Sequence, residues 1–88
     1  MTGRRNIRHI LVVEDDRDTV EIITRALSGR NWQVTMSLSM EGALRGFESS
    51  PCDLVVTDIF MAGMGGIEGI QRMREVRPLL SGLIWVVI

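Results

Sequence analysis

Acidic residues directly follow two apolar segments of the chain. Glu14, Asp15 and Asp16 come immediately after Ile10–Val13, and Asp58 comes after a second apolar segment. Carboxylates that meet at close range raise one another's pKa unless a cation neutralises them. A site made of oxygen ligands, with few from the protein, is typical of Mg²⁺, which keeps several waters and often binds a phosphoryl group. A carboxylate beside that cation can attack phosphorus and form an aspartyl phosphate.

A second interpretation of these acids needs no ligand, because acids at strand ends also cap helices and solvate loops. Asp16 and Asp18 stand where a helix N-cap is expected, so capping remains an open alternative for both. Asp53 precedes its apolar segment, which favours a place on the surface. Glu14, Asp15 and Asp58 each lie after an apolar segment, and together they favour a site.

Hydrophobic periodicity predicts the elements that must position these residues. Strands are predicted at Ile7–Val13, Trp32–Ser37, Asp53–Thr57 and Leu83–Ile88. Between the strands the pattern predicts three helices. The first begins at a cap, Asp16 or Asp18, and ends at Gly29. The second begins at the cap Ser39 and ends at Ser49–Pro51, and the third follows a glycine-rich loop and ends by Pro78. The order βαβαβαβ predicts an α/β fold, an open parallel sheet of about four strands with helices on both faces. The carboxyl ends of such strands share one edge of the sheet, where ligands bind, so the two groups of acids converge there.

Composition excludes several other classes of protein. The chain has 88 residues, 45% of them hydrophobic, with a net charge of −1 and one cysteine, which suits a single small globular domain without a disulfide. It contains no lysine, which removes Schiff-base and P-loop chemistry. The near-neutral charge gives no broad surface for nucleic acid. The longest apolar run is Leu83–Ile88, far short of the roughly 20 residues of a membrane helix, and the expected location is cytoplasmic.

Three spaced blocks resemble a known family. They are Ile10–Asp16, Asp53–Met61 and Met64–Glu68, and in this order they resemble the receiver domain of bacterial two-component response regulators, a flavodoxin-like fold. The resemblance extends from about Ile7 to Ile88, with an N-terminal arm at 1–6 and a receiver-like domain at 7–88. It implies that Asp58 accepts a phosphoryl group from a histidine kinase or phosphotransfer protein.

The resemblance also implies a set of Mg²⁺ ligands. Asp15 is the expected direct ligand, and Glu14 is expected to act through water. Asp58 and the backbone carbonyl of Phe60 complete the set, and Asp16 is a further candidate. The implied module is not a turnover enzyme, although the family catalyses its own phosphorylation and dephosphorylation.

This chain departs from the family at several places. Ala62 stands where the family usually has proline, and Gly65 stands where it commonly has aspartate. The usual final helix–strand–helix is lacking, and with it the Ser/Thr and the lysine that the family uses. Leu83–Ile88 then becomes an edge strand, and one face of the sheet has a single helix over it. We therefore expect self-association through this strand or the uncovered face.

Three functions are open on these grounds. The first is a Mg²⁺-dependent phosphoacceptor module of two-component signal transduction, with no direct contact to nucleic acid or membrane. The alternative is a truncated, non-switching receiver that acts in self-association or protein interaction. A small Mg²⁺ phosphohydrolase is disfavoured, because Phe60 stands where a second acid–base carboxylate would be needed, two residues after Asp58.

Overall fold

The fold alternates strands and helices along the chain, as the periodicity predicts. A computed structural model describes residues 8–49 and 52–76, and the backbone of 84–87. The strands are β1 His9–Val13, β2 Gln33–Ser37, β3 Leu54–Thr57 and β4 Ile84–Val87, and the helices are α1 Arg17–Leu27, α2 Met40–Ser49 and α3 Gly66–Val76. The predicted βαβαβαβ order is therefore confirmed, and the predicted strand ends at Ile7, Leu83 and Ile88, like the arm at 1–6, lie outside the described residues.

The sheet is parallel, with the strand order β2-β1-β3-β4. β1 and β3 are neighbours in the middle, and Val13 is in register with Thr57, the last residue of β3. The next residue on each strand is an acid, Glu14 after β1 and Asp58 after β3. The sheet thus brings the two acidic segments to the same edge, and the backbone N–H of Asp58 donates to the carbonyl of Val13 (3.4 Å).

Apolar side chains of β1 point alternately to two cores, one on each face of the sheet. Leu11 and Val13 pack with residues of α2 and α3, among them Phe47 and Met73. Ile10 and Val12 pack with Val56 on the opposite face, where the partly buried Ile23 and Leu27 of α1 cover them. Helices therefore lie on both faces, and four consecutive β1 residues, Ile10–Val13, are buried, as expected for a central strand of a parallel sheet.

Side-chain caps define where α1 and α2 begin. Asp16 is the N-cap of α1, where its Oδ1 accepts the N–H of Asp18 (3.3 Å). Ser39 precedes α2, and its Oγ accepts the N–H of Gly42 (3.0 Å). Both capping predictions are confirmed, and each cap satisfies a helix N–H that has no partner within the helix. No helix among the described residues is long and apolar enough to cross a membrane.

Candidate functional site

The sequence-predicted acids differ in exposure although they share one edge of the sheet. Glu14 is only 4% exposed, whereas Asp15 lies on the surface and Asp58 is half-buried. The carboxyl of Glu14 interacts with those of both Asp15 and Asp58. Its Oε2 also accepts the N–H of Asp16 (3.0 Å). Glu14, Asp15 and Asp58 thus form one group of carboxyls, which we call the acidic site.

Burial raises the pKa of Glu14, and the neighbouring carboxyls of Asp15 and Asp58 raise it further, against the opposing effect of the Asp16 N–H. The rise reflects the free energy needed to hold a buried negative charge beside two others. A cation at this position would remove that repulsion. Within residues 8–49 and 52–76, no group of three or more His, Cys, Asp or Glu side chains is placed so that it could hold a metal ion. Mg²⁺ does not require such a group, because it binds through one or two carboxylates and keeps several of its waters.

The raised pKa of Glu14 predicts a pH-dependent stability. In the pH range between the unfolded and folded pKa values, the native state binds more protons than the unfolded state, so stability falls as pH rises through that range. Replacing Glu14 with glutamine is expected to raise the free energy of unfolding at neutral pH without metal, because glutamine carries no charge to be repelled by the carboxyls of Asp15 and Asp58. Urea denaturation at several pH values measures the change. Glu21→Gln, on the exposed surface of α1, is the control, and an equal gain there would contradict the prediction.

Hydrogen bonds orient Asp58 and Asp15 with respect to the loop between β3 and α3. The Oδ1 atom of Asp58 accepts the N–H of Ile59 (2.9 Å). The Oδ2 atom of Asp15 accepts the N–H of Ala62 (3.3 Å), so the loop is bound to the end of β1. A proline at position 62 would have no N–H, and the departure from the family pattern therefore supplies this contact. Phe60, whose backbone carbonyl is a predicted ligand, lies on this loop with its side chain 84% exposed.

The start of α3 fits closely against the end of β3. The N–H of Gly66 donates to the carbonyl of Ile59 (2.9 Å), and a Cβ atom at position 66 would lie 2.2 Å from the carbonyl oxygen of Asp58. Only glycine can occupy this position without displacing the backbone next to the acidic site. The glycine at position 66 therefore lets α3 begin in close contact with the end of β3.

Two other acids that the sequence singles out have structural contacts. Asp16 caps α1, where its Oδ1 accepts the Asp18 N–H and its Oδ2 the Thr19 hydroxyl. Asp53 precedes β3, and its Oδ2 accepts the N–H groups of Arg8 and His9, both at 2.9 Å. The structure adds one acid that the sequence analysis did not select, Glu41 on α2, whose Oε2 accepts the N–H of Met64 in the β3–α3 loop (3.1 Å).

Comparison with known proteins connects this site to a family. The family model described as "Response regulator receiver domain" matches residues 10–87. The chain is 33% identical over 75 residues to the response regulator receiver protein CpdR of Brucella abortus, with 85% of this chain and 62% of that protein covered. It is also 33% identical over 75 residues to the transcriptional regulatory protein ZraR of Salmonella typhimurium, with 85% of this chain and 17% of that protein covered.

A solved structure agrees with these sequence comparisons. The N-terminal domain of a response regulator receiver protein from Methanoculleus marisnigri JR1 superposes with a TM-score of 0.79 at 27% identity, covering 93% of this chain and 66% of that one. The chain thus spans 62% and 17% of the lengths of the two curated relatives. Since the family match extends over nearly all of the described fold, this chain belongs to the response regulator receiver domain family.

Proposed function

We propose that Asp58 accepts a phosphoryl group, in a Mg²⁺-dependent reaction, from a histidine kinase or phosphotransfer protein. The observation that carries this proposal is the meeting of Glu14, Asp15 and Asp58 at the carboxyl ends of two neighbouring central strands. Membership in the receiver family supports it, because receiver domains act in two-component signalling. We assign this role to residues 7–88, with 1–6 as an arm, and place the module in the cytoplasm.

The residues at this edge of the sheet have distinct roles in the proposed reaction. Asp15 and Asp58 would bind Mg²⁺ directly together with the Phe60 carbonyl, and Glu14 would act through water. The cation would neutralise negative charge on the transferring phosphoryl oxygens. Asp16 is left out of this set, because both its carboxylate oxygens accept hydrogen bonds at the start of α1.

Asp58 is the proposed nucleophile. The Ile59 N–H holds its Oδ1 (2.9 Å), which fixes the plane of the carboxylate for attack. A carboxylate oxygen forms a bond to phosphorus while the nitrogen–phosphorus bond of the donor phosphohistidine breaks, and the electron pair leaves with the imidazole. Water later hydrolyses the acyl phosphate, which returns the carboxylate and inorganic phosphate. In this proposal the module is a signalling acceptor and not a turnover enzyme, because Phe60 stands where a phosphohydrolase would need its second acid–base carboxylate.

Proteolytic mapping tests the assignment of Asp58. Trypsin cleaves after arginine, so the peptide covering 46–72 contains Asp58 and the peptide covering 9–17 contains Asp15 and Asp16. After treatment with a small-molecule phosphodonor and Mg²⁺, we expect the phosphoryl group on the 46–72 peptide, and fragmentation should place it at Asp58. A group on the 9–17 peptide would contradict the proposal.

A second candidate function is association of the chain with a second copy through β4. In the described sheet, β4 lies at one edge and pairs with β3 on its inner side. An edge strand can pair with another chain through its backbone groups. Sedimentation at tens of micromolar tests this possibility: a dimer supports it, and a well-folded monomer excludes it.

A further inference from the structure

Two carboxylates from different parts of the chain hold the β3–α3 loop. Asp15, after β1, accepts the N–H of Ala62, and Glu41, on α2, accepts the N–H of Met64 (3.3 and 3.1 Å). The loop therefore connects the acidic site to the first turn of α2. The predicted Phe60 carbonyl ligand lies on the same loop, two residues before Ala62.

The N-cap of α2 is Ser39 and not Glu41. The Oγ of Ser39 accepts the Gly42 N–H, and its carbonyl accepts the Ala43 N–H. The pKa of Glu41 is lowered by hydrogen bonds from its own N–H and from the Met64 N–H, and by the charge of Arg45. The carboxylate is thus ionised at neutral pH and available to the loop.

The loop is shaped to receive this carboxylate. Gly63 has φ +78°, a conformation that other residues rarely adopt, and a Cβ atom there would lie 2.6 Å from the Glu41 Oε2. A side chain at position 63 would therefore push Glu41 away from Met64. The glycine allows α2 and the loop to meet.

We infer that Glu41 is a positioning residue for the proposed cation site, because it holds the loop that carries the Phe60 carbonyl next to Asp15. This inference rests on the proposed function. Without Glu41, only the Asp15 contact of these two remains, and cation binding must offset the free-energy cost of the conformational entropy that the loop loses when it becomes ordered. Partners that orient metal ligands typically change metal affinity about 10–100-fold, and we expect the lower end of that range here.

The test compares Mg²⁺ affinity in the wild type, Glu41→Ala, Glu41→Gln and Glu21→Ala. Glutamine keeps an oxygen that can accept the Met64 N–H, and Glu21→Ala makes the same change of net charge on the exposed surface of α1. MgCl₂ is titrated at constant ionic strength, and binding is followed through backbone amide NMR shifts. Hydrogen exchange of the Met64 amide, without metal, reports on the loop itself.

We expect Glu41→Ala to bind Mg²⁺ about tenfold more weakly, with faster exchange at Met64, whereas Glu41→Gln and Glu21→Ala stay within about threefold of the wild type. If the wild type binds Mg²⁺ and Glu41→Ala binds it equally well, the inference is wrong and the proposed function stands. If Glu41→Gln weakens Mg²⁺ binding as much as Glu41→Ala does, the cause is the lost charge and not the lost contact with the loop. That result would also overturn the inference. If the wild type itself binds no Mg²⁺, the proposed metal dependence fails and the inference fails with it.

Discussion

Replacing Asp15 with asparagine is expected to weaken Mg²⁺ binding at least tenfold, equivalent to about 1.4 kcal/mol. Asp15 is exposed, interacts with the Glu14 carboxyl, and is bound to the β3–α3 loop through the Ala62 N–H (3.3 Å). Asparagine keeps one oxygen for that N–H but removes the negative charge, and the charge of the ligands sets affinity for hard cations. Titration with MgCl₂ gives the dissociation constants.

The adjacent Asp16 supplies a control that carries the same charge. Its carboxylate caps α1, and asparagine is as good an N-cap as aspartate, so Asp16→Asn is expected to leave both Mg²⁺ affinity and helix α1 nearly unchanged. The two variants have the same net charge and differ by one position in the chain. An Asp16→Asn variant that loses as much affinity as Asp15→Asn would show that Asp16 is a ligand, contrary to the roles assigned here.

Gly66→Ala is expected to lower the free energy of unfolding by about 3 kcal/mol, the upper part of the range for overpacking. The new Cβ would lie 2.2 Å from the Asp58 carbonyl oxygen and 3.1 Å from its carbon, so the strain falls on backbone, which cannot rotate away as a side chain can. A domain has only about 5–15 kcal/mol of net stability, so this loss is large. Urea denaturation measures it, and reduced phosphorylation of the folded fraction should accompany it.

Gly46→Ala is the matched control for this substitution. Gly46 lies within α2, and a Cβ there would have no heavy atom within 4 Å. Alanine is a better helix former than glycine by about 1 kcal/mol, so this variant should be equally stable or more stable. If both alanine variants lose the same stability, the close approach of α3 to Asp58 is not the cause.

The position of the acidic site could be predicted because it depends on strong local patterns. Ile10–Val13 and Leu54–Val56 are apolar segments typical of a core, and the acids that directly follow them lie at the ends of the strands, at the edge of the sheet. Once the strands are parallel, Glu14 and Asp58 must share that edge. The register of Val13 with Thr57 makes them neighbours, and this detail comes from the structure, because the order of elements along the chain does not fix which strands pair or in which register.

The roles of individual acids were harder to predict because they depend on loop geometry. The sequence allows Asp16 to be either a helix N-cap or a metal ligand. In the structure it is the N-cap, because its carboxylate accepts hydrogen bonds from Asp18 and Thr19. From the sequence, Glu41 is an ordinary acidic residue in the first turn of a helix. Its hydrogen bond from the Met64 N–H depends on the loop conformation, in which Gly63 has a positive φ. Sequence spacing carries no signal for a contact between residues 23 positions apart that a loop conformation creates.

The proposed phosphoryl transfer to Asp58 is tested most directly by intact-mass spectrometry after incubation with a small-molecule phosphodonor. The samples are the wild type with Mg²⁺, the wild type with EDTA, Asp58→Asn, and Asp18→Asn as a matched surface control on the first turn of α1. We predict a single phosphoryl group on the wild type and on Asp18→Asn with Mg²⁺, and none with EDTA or on Asp58→Asn. Since the chain contains no lysine, this result would show that the acidic site reacts without one. A folded wild type that gains no phosphoryl group with Mg²⁺, or an Asp58→Asn variant that gains one, would contradict the proposal.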